Sequence, residues 1–218
     1  MHDGTKYSTL VLIPTCRRPE SLALLLEAVG QQQCQKTTIS VAVVDNDPAQ
    51  SALDIVTRHP GIAYEFEPEP GVSLVRSRLL SLVKNEDFIA FVDDDELVPP
   101  TWLCELIHTM ESLCVDAVGG PVQYTLPNSA HHKSLARSFF RSRLVASGRT
   151  NELLATNNAL VKVETVKATN NLYFDKEFGS TGGEDSEFFW RLRAAGATFA
   201  WNASATAFEQ VIAERTTI

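Results

Sequence analysis

Apolar residues first cluster without alternation over residues 8–13 and stop at Pro14, the pattern of a short strand covered on both faces. Pro19 and Glu20 then open a segment in which Leu22, Leu25, Leu26 and Val29 recur at i, i+3, i+4 and i+7, which predicts an amphipathic helix. A β-branched run over 38–44 predicts a second strand, ended by the polar turn Asp45-Asn46-Asp47-Pro48. The pattern continues with a helix near 51–58, a strand at 62–66, a helix near 72–84 carrying Leu79, Leu82 and Val83 on its apolar side, and a strand at 88–92. Strands alternating with helices make βαβ units, so the expected fold class is α/β, a mostly parallel sheet with helices on both faces.

The second half of the chain is less regular. A helix is expected over 101–113, with Trp102, Leu106 and Met110 at helical spacing. Residues 115–126 read as extended and 153–163 as a strand. A helix over 184–195 closes at Gly196, a residue suited to a helix C-terminus. The organisation expected is a single domain over 1–218, with a regular half near 8–100 and a less regular half near 101–218.

Composition narrows the class. A chain of 218 residues, 44% hydrophobic and 21% charged, has an ordinary globular make-up, and its net charge of −8 argues against general affinity for nucleic acid. Cys16, Cys34, Cys104 and Cys114 form no C-x-x-C pair, so they read as thiols in a reducing compartment. No run approaches the roughly 18 apolar residues of a membrane span, and residues 1–6 are too polar to open a signal peptide, so a cytoplasmic location is expected. Charge is unevenly spread: residues 117–151 hold no acid but carry Lys133, Arg137, Arg141, Arg143 and Arg149, with His131 and His132. That stretch reads either as a solvated surface or as a basic flap for a diphosphate or a phospholipid face.

Candidate chemistry lies where strands end, the place where parallel α/β sheets bind ligands. Asp93, Asp94, Asp95 and Glu96 directly follow the strand at 88–92. Adjacent carboxylates repel, and a divalent cation such as Mg²⁺ or Mn²⁺ is their natural partner; a merely solvated acidic turn is the other reading. Glu184 and Asp185 follow Gly182 and Gly183 at a helix start. Acids there suit the helix dipole, or one of them removes a proton from an attacking hydroxyl. Thr15, Arg17 and Arg18 follow the first strand and Asp45 the second, where a carboxylate would accept a base N–H, while Arg76 and Arg78 would offset phosphate charge. No G-x-G-x-x-G or Walker loop is present.

Taken together, IPTCRRPESL, VAVVDNDPA, PGVSLVRSRLL, FIAFVDDDELVPPTWL, TNNALVKVETV and FGSTGGEDSEFFWRLRAAG resemble family 2 glycosyltransferases of the GT-A fold, most closely the bacterial exopolysaccharide type of succinoglycan synthesis. The resemblance implies inverting transfer of a hexose, such as glucose, from a UDP-sugar to a saccharide or lipid-linked saccharide, at the cytoplasmic side and with peripheral membrane contact. It implies that Pro14, Thr15 and Arg17 meet the nucleotide, Asp45 the uracil and Arg76 the phosphates. Asp93 would face the ribose, with Asp94 beside it, and Asp95 would hold Mg²⁺ or Mn²⁺ with help from Asp93. Asp185 would be the base, Glu184 would position the acceptor, and Asn157 and Asn158 would lie near donor sugar or acceptor. Cys16 stands where relatives often carry an aromatic ring, and Glu209 stands where they often carry a metal-binding histidine. The Q-x-x-R-W segment of processive synthases is replaced by Phe188-Phe189-Trp190-Arg191-Leu192, which implies addition of a single sugar. Two rivals are a nucleotidyltransferase, disfavoured by the glycine-free Pro14–Arg18 stretch, and a non-catalytic sugar-nucleotide module, disfavoured by the intact Asp93, Asp95 and Asp185.

Overall fold

The structure, a computed structural model, describes residues 7–125, 145–169, 173–178 and 182–210. Its frame is an eight-stranded sheet in the order β3-β2-β1-β4-β9-β6-β10-β8. The long members are β1 (Tyr7–Thr15) and β2 (Thr37–Asp45), joined in parallel from Tyr7↔Thr37 to Thr15↔Asp45. On one side β3 (Ala63–Phe66) extends β2, and on the other β4 (Phe88–Val92) pairs with β1, all parallel. The chain thus winds outward through β2 and β3, returns, and continues on the far side of β1. The crevice between the carboxyl ends of β1 and β4 is the point where strand order reverses.

The sheet is mostly parallel as expected, and its antiparallel pairs lie beyond β4. Strand β9 (Asn158–Lys162) lies antiparallel between β4 and β6 (Ala117–Gly119). Strand β10 (Phe199–Trp201) joins β6 in parallel, and β8 (Gly148–Thr150) closes the edge antiparallel. The run read as one strand over 153–163 yields only β9 and then turns into helix α5 (Val163–Ala168). The run at 115–126 splits at Gly119-Gly120-Pro121 into β6 and β7 (Val122–Thr125), which enter different sheets. Gly120 sits so close to the Ala205 carbonyl that an added Cβ would lie 2.0 Å from its oxygen. A three-stranded sheet, β5-β11-β7, forms from β5 (Glu96–Leu97), β11 (Ala207–Gln210) and β7.

Alternation along the buried strands sends side chains to two cores. Val11, Ile13, Ala90 and Val92 face the helices α1 (Pro19–Gly30), α2 (Leu53–Thr57) and α4 (Trp102–Leu113). Leu10, Leu12, Ile89 and Phe91 face α3 (Val72–Ser81) and α6 (Glu184–Ala194), where Phe91, Phe174, Phe188 and Phe189 pack ring to ring. Both faces of the sheet are therefore covered, and polar side chains collect at the strand ends. Residues 131–143 of the basic stretch lie outside the described residues; Arg149 is described and donates to the Leu113 carbonyl at 2.6 Å.

Candidate active site

A cavity of about 380 Å³ opens at the β1/β4 reversal point. Pro14, Thr15, Cys16 and Arg18 come to it from the end of β1, Asp93, Asp94 and Asp95 from the end of β4, and Asn46 from the end of β2. Val72, Val75 and Arg76 of α3 form one wall, and Glu209 of β11 joins from the small sheet. Most of the residues expected to act together are thus brought together, although they are far apart in sequence.

Inside this ring the carboxylates are crowded. Asp94 is buried; its Oδ2 accepts the Thr15 hydroxyl at 2.7 Å and its Oδ1 accepts Arg18 at 2.8 Å. The same Arg18 nitrogen donates to Asp95 at 2.8 Å. Burial pushes the Asp94 carboxyl up to about 6, against the pull of Arg18 and Thr15 and with added repulsion from Asp95. Glu96 is buried too: its Oε2 accepts the Asp93 backbone N–H at 3.0 Å, while its Oε1 has no hydrogen-bond partner. Burial first, then the Asp93 charge and more weakly those of Asp95 and Glu209, raise Glu96 well above the usual carboxylate range. Glu96 and Glu209 face each other across the β5–β11 pair.

Asp93, Asp94, Asp95, Glu96, Glu184 and Glu209 therefore confront two guanidinium groups, Arg18 and Arg76. This excess of hard oxygen donors, with an orphaned buried oxygen on Glu96, fits Mg²⁺ or Mn²⁺ chemically. Among the described residues no three acidic, histidine or cysteine side chains converge into a ready cage.

Several expected contacts are redirected. Asp45 does not face the cavity. It is fully buried, and its oxygens accept the backbone N–H groups of Asp47 at 2.8 Å and Ala52 at 3.0 Å. Its neighbour Asn46 lines the cavity instead, pinning the loop before α3 through the Glu67 and Glu69 carbonyls at 2.7 and 2.8 Å and the Gly71 N–H at 3.1 Å. Arg17 also points away: its backbone is left-handed (φ 58°), and its side chain, 73% exposed, pairs with Asp47. That turn aims Arg18 inward. Both substitutions are legible only from strand-end geometry, since each concerns which of two adjacent polar residues faces the crevice.

Arg76 is enclosed, not open to a ligand as a free cation. Its Nη2 donates to Asp93 at 3.0 Å and its Nη1 to Glu184, which is itself buried. Glu184 is thereby tied to Arg76 through Oε1, in place of the open acceptor-facing position expected of it. Asp185, one residue on, is half-buried in the first turn of α6 and accepts the Ser186 N–H at 2.7 Å. The glycines before it are there for the backbone: Gly182 and Gly183 both have positive φ, 74° and 95°. Gly179, Ser180 and Thr181 of the expected mobile lead-in lie outside the described residues.

Asn158 is tied into the interior and also borders a second cavity. It accepts the Trp102 indole N–H at 2.8 Å and donates to the Pro121 and Ala205 carbonyls at 3.0 and 2.7 Å, with 1% of its surface exposed. Asn157 and Asn158 both line this second cavity of about 270 Å³, with Tyr124 and Trp201. Tyr124 is paired with Glu209 across β7 and β11, so one small sheet borders both cavities.

Comparisons with known proteins agree with this geometry. The chain is 30% identical over 209 residues to the succinoglycan biosynthesis protein ExoM of Rhizobium meliloti, covering 94% of this chain and 67% of that protein. Its fold matches TarS of S. aureus in complex with UDP-GlcNAc, with TM-score 0.71, 17% identity and coverage of 94% of this chain and 59% of the other. It also matches the mannosyltransferase PcManGT of Pyrobaculum calidifontis in complex with GDP-Man and Mn²⁺, with TM-score 0.69, 17% identity and coverage of 95% and 58%. The fold is therefore that of the GT-A glycosyltransferases. Residues 10–168 match the model of Glycosyl transferase family 2, and the chain belongs to that family.

Proposed function

We propose that the protein is an inverting hexosyltransferase that uses a UDP-sugar and a divalent cation. The observation that carries this reading is the cavity at the β1/β4 reversal point, where three strand-end aspartates and Glu209 meet Pro14, Thr15, Cys16 and Asn46. The uracil lies against Pro14–Cys16, with Asn46 in place of Asp45 as its side-chain partner. Asp93 faces the ribose, and Arg18, 39% exposed at its side chain, meets the diphosphate. Asp95, with Asp93 and Glu209, would hold Mg²⁺ or Mn²⁺, which when bound supplies Lewis-acid stabilisation of the leaving diphosphate.

Asp185 serves as the base. It takes the proton of the acceptor hydroxyl as that oxygen bonds to the anomeric carbon and the bond to the diphosphate breaks. Attack from the face opposite the leaving group turns an α-linked donor into a β-linked product. The anomeric carbon gains oxocarbenium character on the way, and no covalent enzyme intermediate forms. The Asn157, Tyr124 and Trp201 cavity supplies an amide and aromatic surfaces, the chemistry that grips a sugar. The acceptor is a saccharide or lipid-linked saccharide, reached with peripheral contact at the inner face of the plasma membrane. The lysine and arginines of the basic stretch support that contact. Among the described residues no helix is long and apolar enough to cross a membrane.

The test is calorimetric binding of UDP-, GDP- and dTDP-hexoses in Mn²⁺, followed by UDP release from the tightest ligand. UDP-hexoses should bind and turn over. Preference for a guanosine donor would refute the uracil slot.

A further inference from the structure

Among the described residues, Arg76 is the one guanidinium that touches both acidic motifs. Its α3 helix is anchored by buried Val75, Leu79 and Leu80, so its position is set by the core. One arm reaches Asp93 at the end of β4, the other Glu184 at the start of α6, 108 residues further along the chain. Burial alone would weaken its charge; Asp93 and Glu184, and beyond them Asp185, reverse that and raise its pKa, so Asp185 lies within its field. A second tie runs alongside: the Ser77 hydroxyl accepts the Phe174 N–H at 2.8 Å and donates to its carbonyl at 3.2 Å.

The start of α6 needs such a tie. Its N-cap is Gly183, which offers no side-chain hydrogen bond, and Gly182 and Gly183 both occupy left-handed backbone. Further along, Phe188, Phe189 and Leu192 bury the helix, but they lie beyond the first turn. A buried ion pair adds little net stability compared with apolar residues of similar size. What it does supply is direction, because a guanidinium fixes the two carboxylates it donates to.

We propose that Arg76 and Glu184 are positioning residues, a strut that fixes Asp185 relative to the donor-binding strand end. This rests on the reading of Asp185 as base. Glu184 acts through Arg76 and contacts no acceptor, which departs from the role the family resemblance implies for it.

The experiment compares the full-length chain with Glu184→Gln, Asp185→Asn and the double variant. The readout is UDP release from UDP-glucose in Mn²⁺, or from whichever UDP-hexose the binding panel selects, alongside calorimetric UDP affinity. Glu184→Gln should lower kcat by about 10²-fold, the scale of an ångström-level misplacement, with KM and UDP affinity little changed. In the Asp185→Asn background the same change should cost less than about twofold, because residues that act as a unit do not add. Where Glu184→Gln fails to fold, Arg76→Met with Glu184→Leu removes the strut and leaves only the partly exposed Asp93 without its ion pair, and kcat should again be low. Wild-type turnover in that apolar pair or in Glu184→Gln, or losses that multiply in the double variant, would overturn the strut and leave the base in place. Retained turnover in Asp185→Asn alone would remove the base, and the strut with it.

Discussion

The acids that follow β4 and the acids that open α6 flank the same arginine but are held in opposite ways. The strand-end group is crowded and enclosed: Asp94 is pushed up to about 6 and Glu96 well above the usual range, with Arg18 and Arg76 too few to offset the charge. The helix-start group divides its labour. Glu184 is buried against Arg76, while Asp185 keeps access to solvent from a turn stabilised by the helix dipole. The contrast separates two tasks. Concentrated, desolvated carboxylate suits the capture of a cation and a diphosphate, whereas a single reachable carboxylate suits proton transfer.

The division breaks most visibly at Asp185. Asp185→Asn is nearly isosteric and keeps the helix-start polarity, so folding and UDP affinity should persist while turnover falls by about 10²–10⁴-fold. Turnover within about threefold of wild type, at saturating UDP-hexose, would return Asp185 to the same structural class as Glu184.

A residue belonging to neither group sharpens the comparison. Asn158→Ala should lower unfolding free energy by about 2 kcal/mol, because it strands the Trp102 N–H and the Ala205 carbonyl in the interior, while the Pro121 carbonyl keeps the Ala207 N–H. Urea unfolding would show this loss. An unchanged midpoint combined with weakened donor binding would place Asn158 in the site after all.

The smallest effect concerns the strand-end group alone. Asp94 has a folded pKa of about 6, above its unfolded value near 3.9, so its ionised form destabilises the fold at neutral pH. In chelator, lowering the pH from 7 to 5 should therefore raise wild-type stability by about 1 kcal/mol through this group. Asp94→Asn lacks that gain, so the stability of the variant relative to wild type should shrink as the pH falls. A difference that stays flat over that window would mean Asp94 is not held against its charge.

The elements that carry these groups differ in how far their sequence announces them. Strands β1, β2 and β4 are visible because the apolar runs over 10–13, 41–44 and 88–92 leave little choice. Strands β5, β8, β10 and β11 are two to four residues long, too short to express a period, and are set by their partners' register. The antiparallel insertion of β9 between β4 and β6 is a matter of topology that local pattern does not encode. At the site, sequence locates the clusters but not the side that each residue faces. A left-handed turn at Arg17 delivers Arg18 to the cavity, and the strand pleat hides Asp45 and presents Asn46. The burial of Glu184 depends on Arg76, more than a hundred residues away.

The most direct measurement is a calorimetric titration of UDP into the wild-type protein, once with Mn²⁺ and once with excess chelator, repeated with Asp95→Ala. If the strand-end acids form a cation-dependent donor site, UDP should bind about 10–100-fold more tightly with Mn²⁺, a coupling of about 1.4–2.7 kcal/mol. Asp95→Ala should erase most of that difference without lowering the melting temperature. Equal UDP affinity in Mn²⁺ and in chelator, or a Mn²⁺ effect that survives intact in Asp95→Ala, would contradict the account.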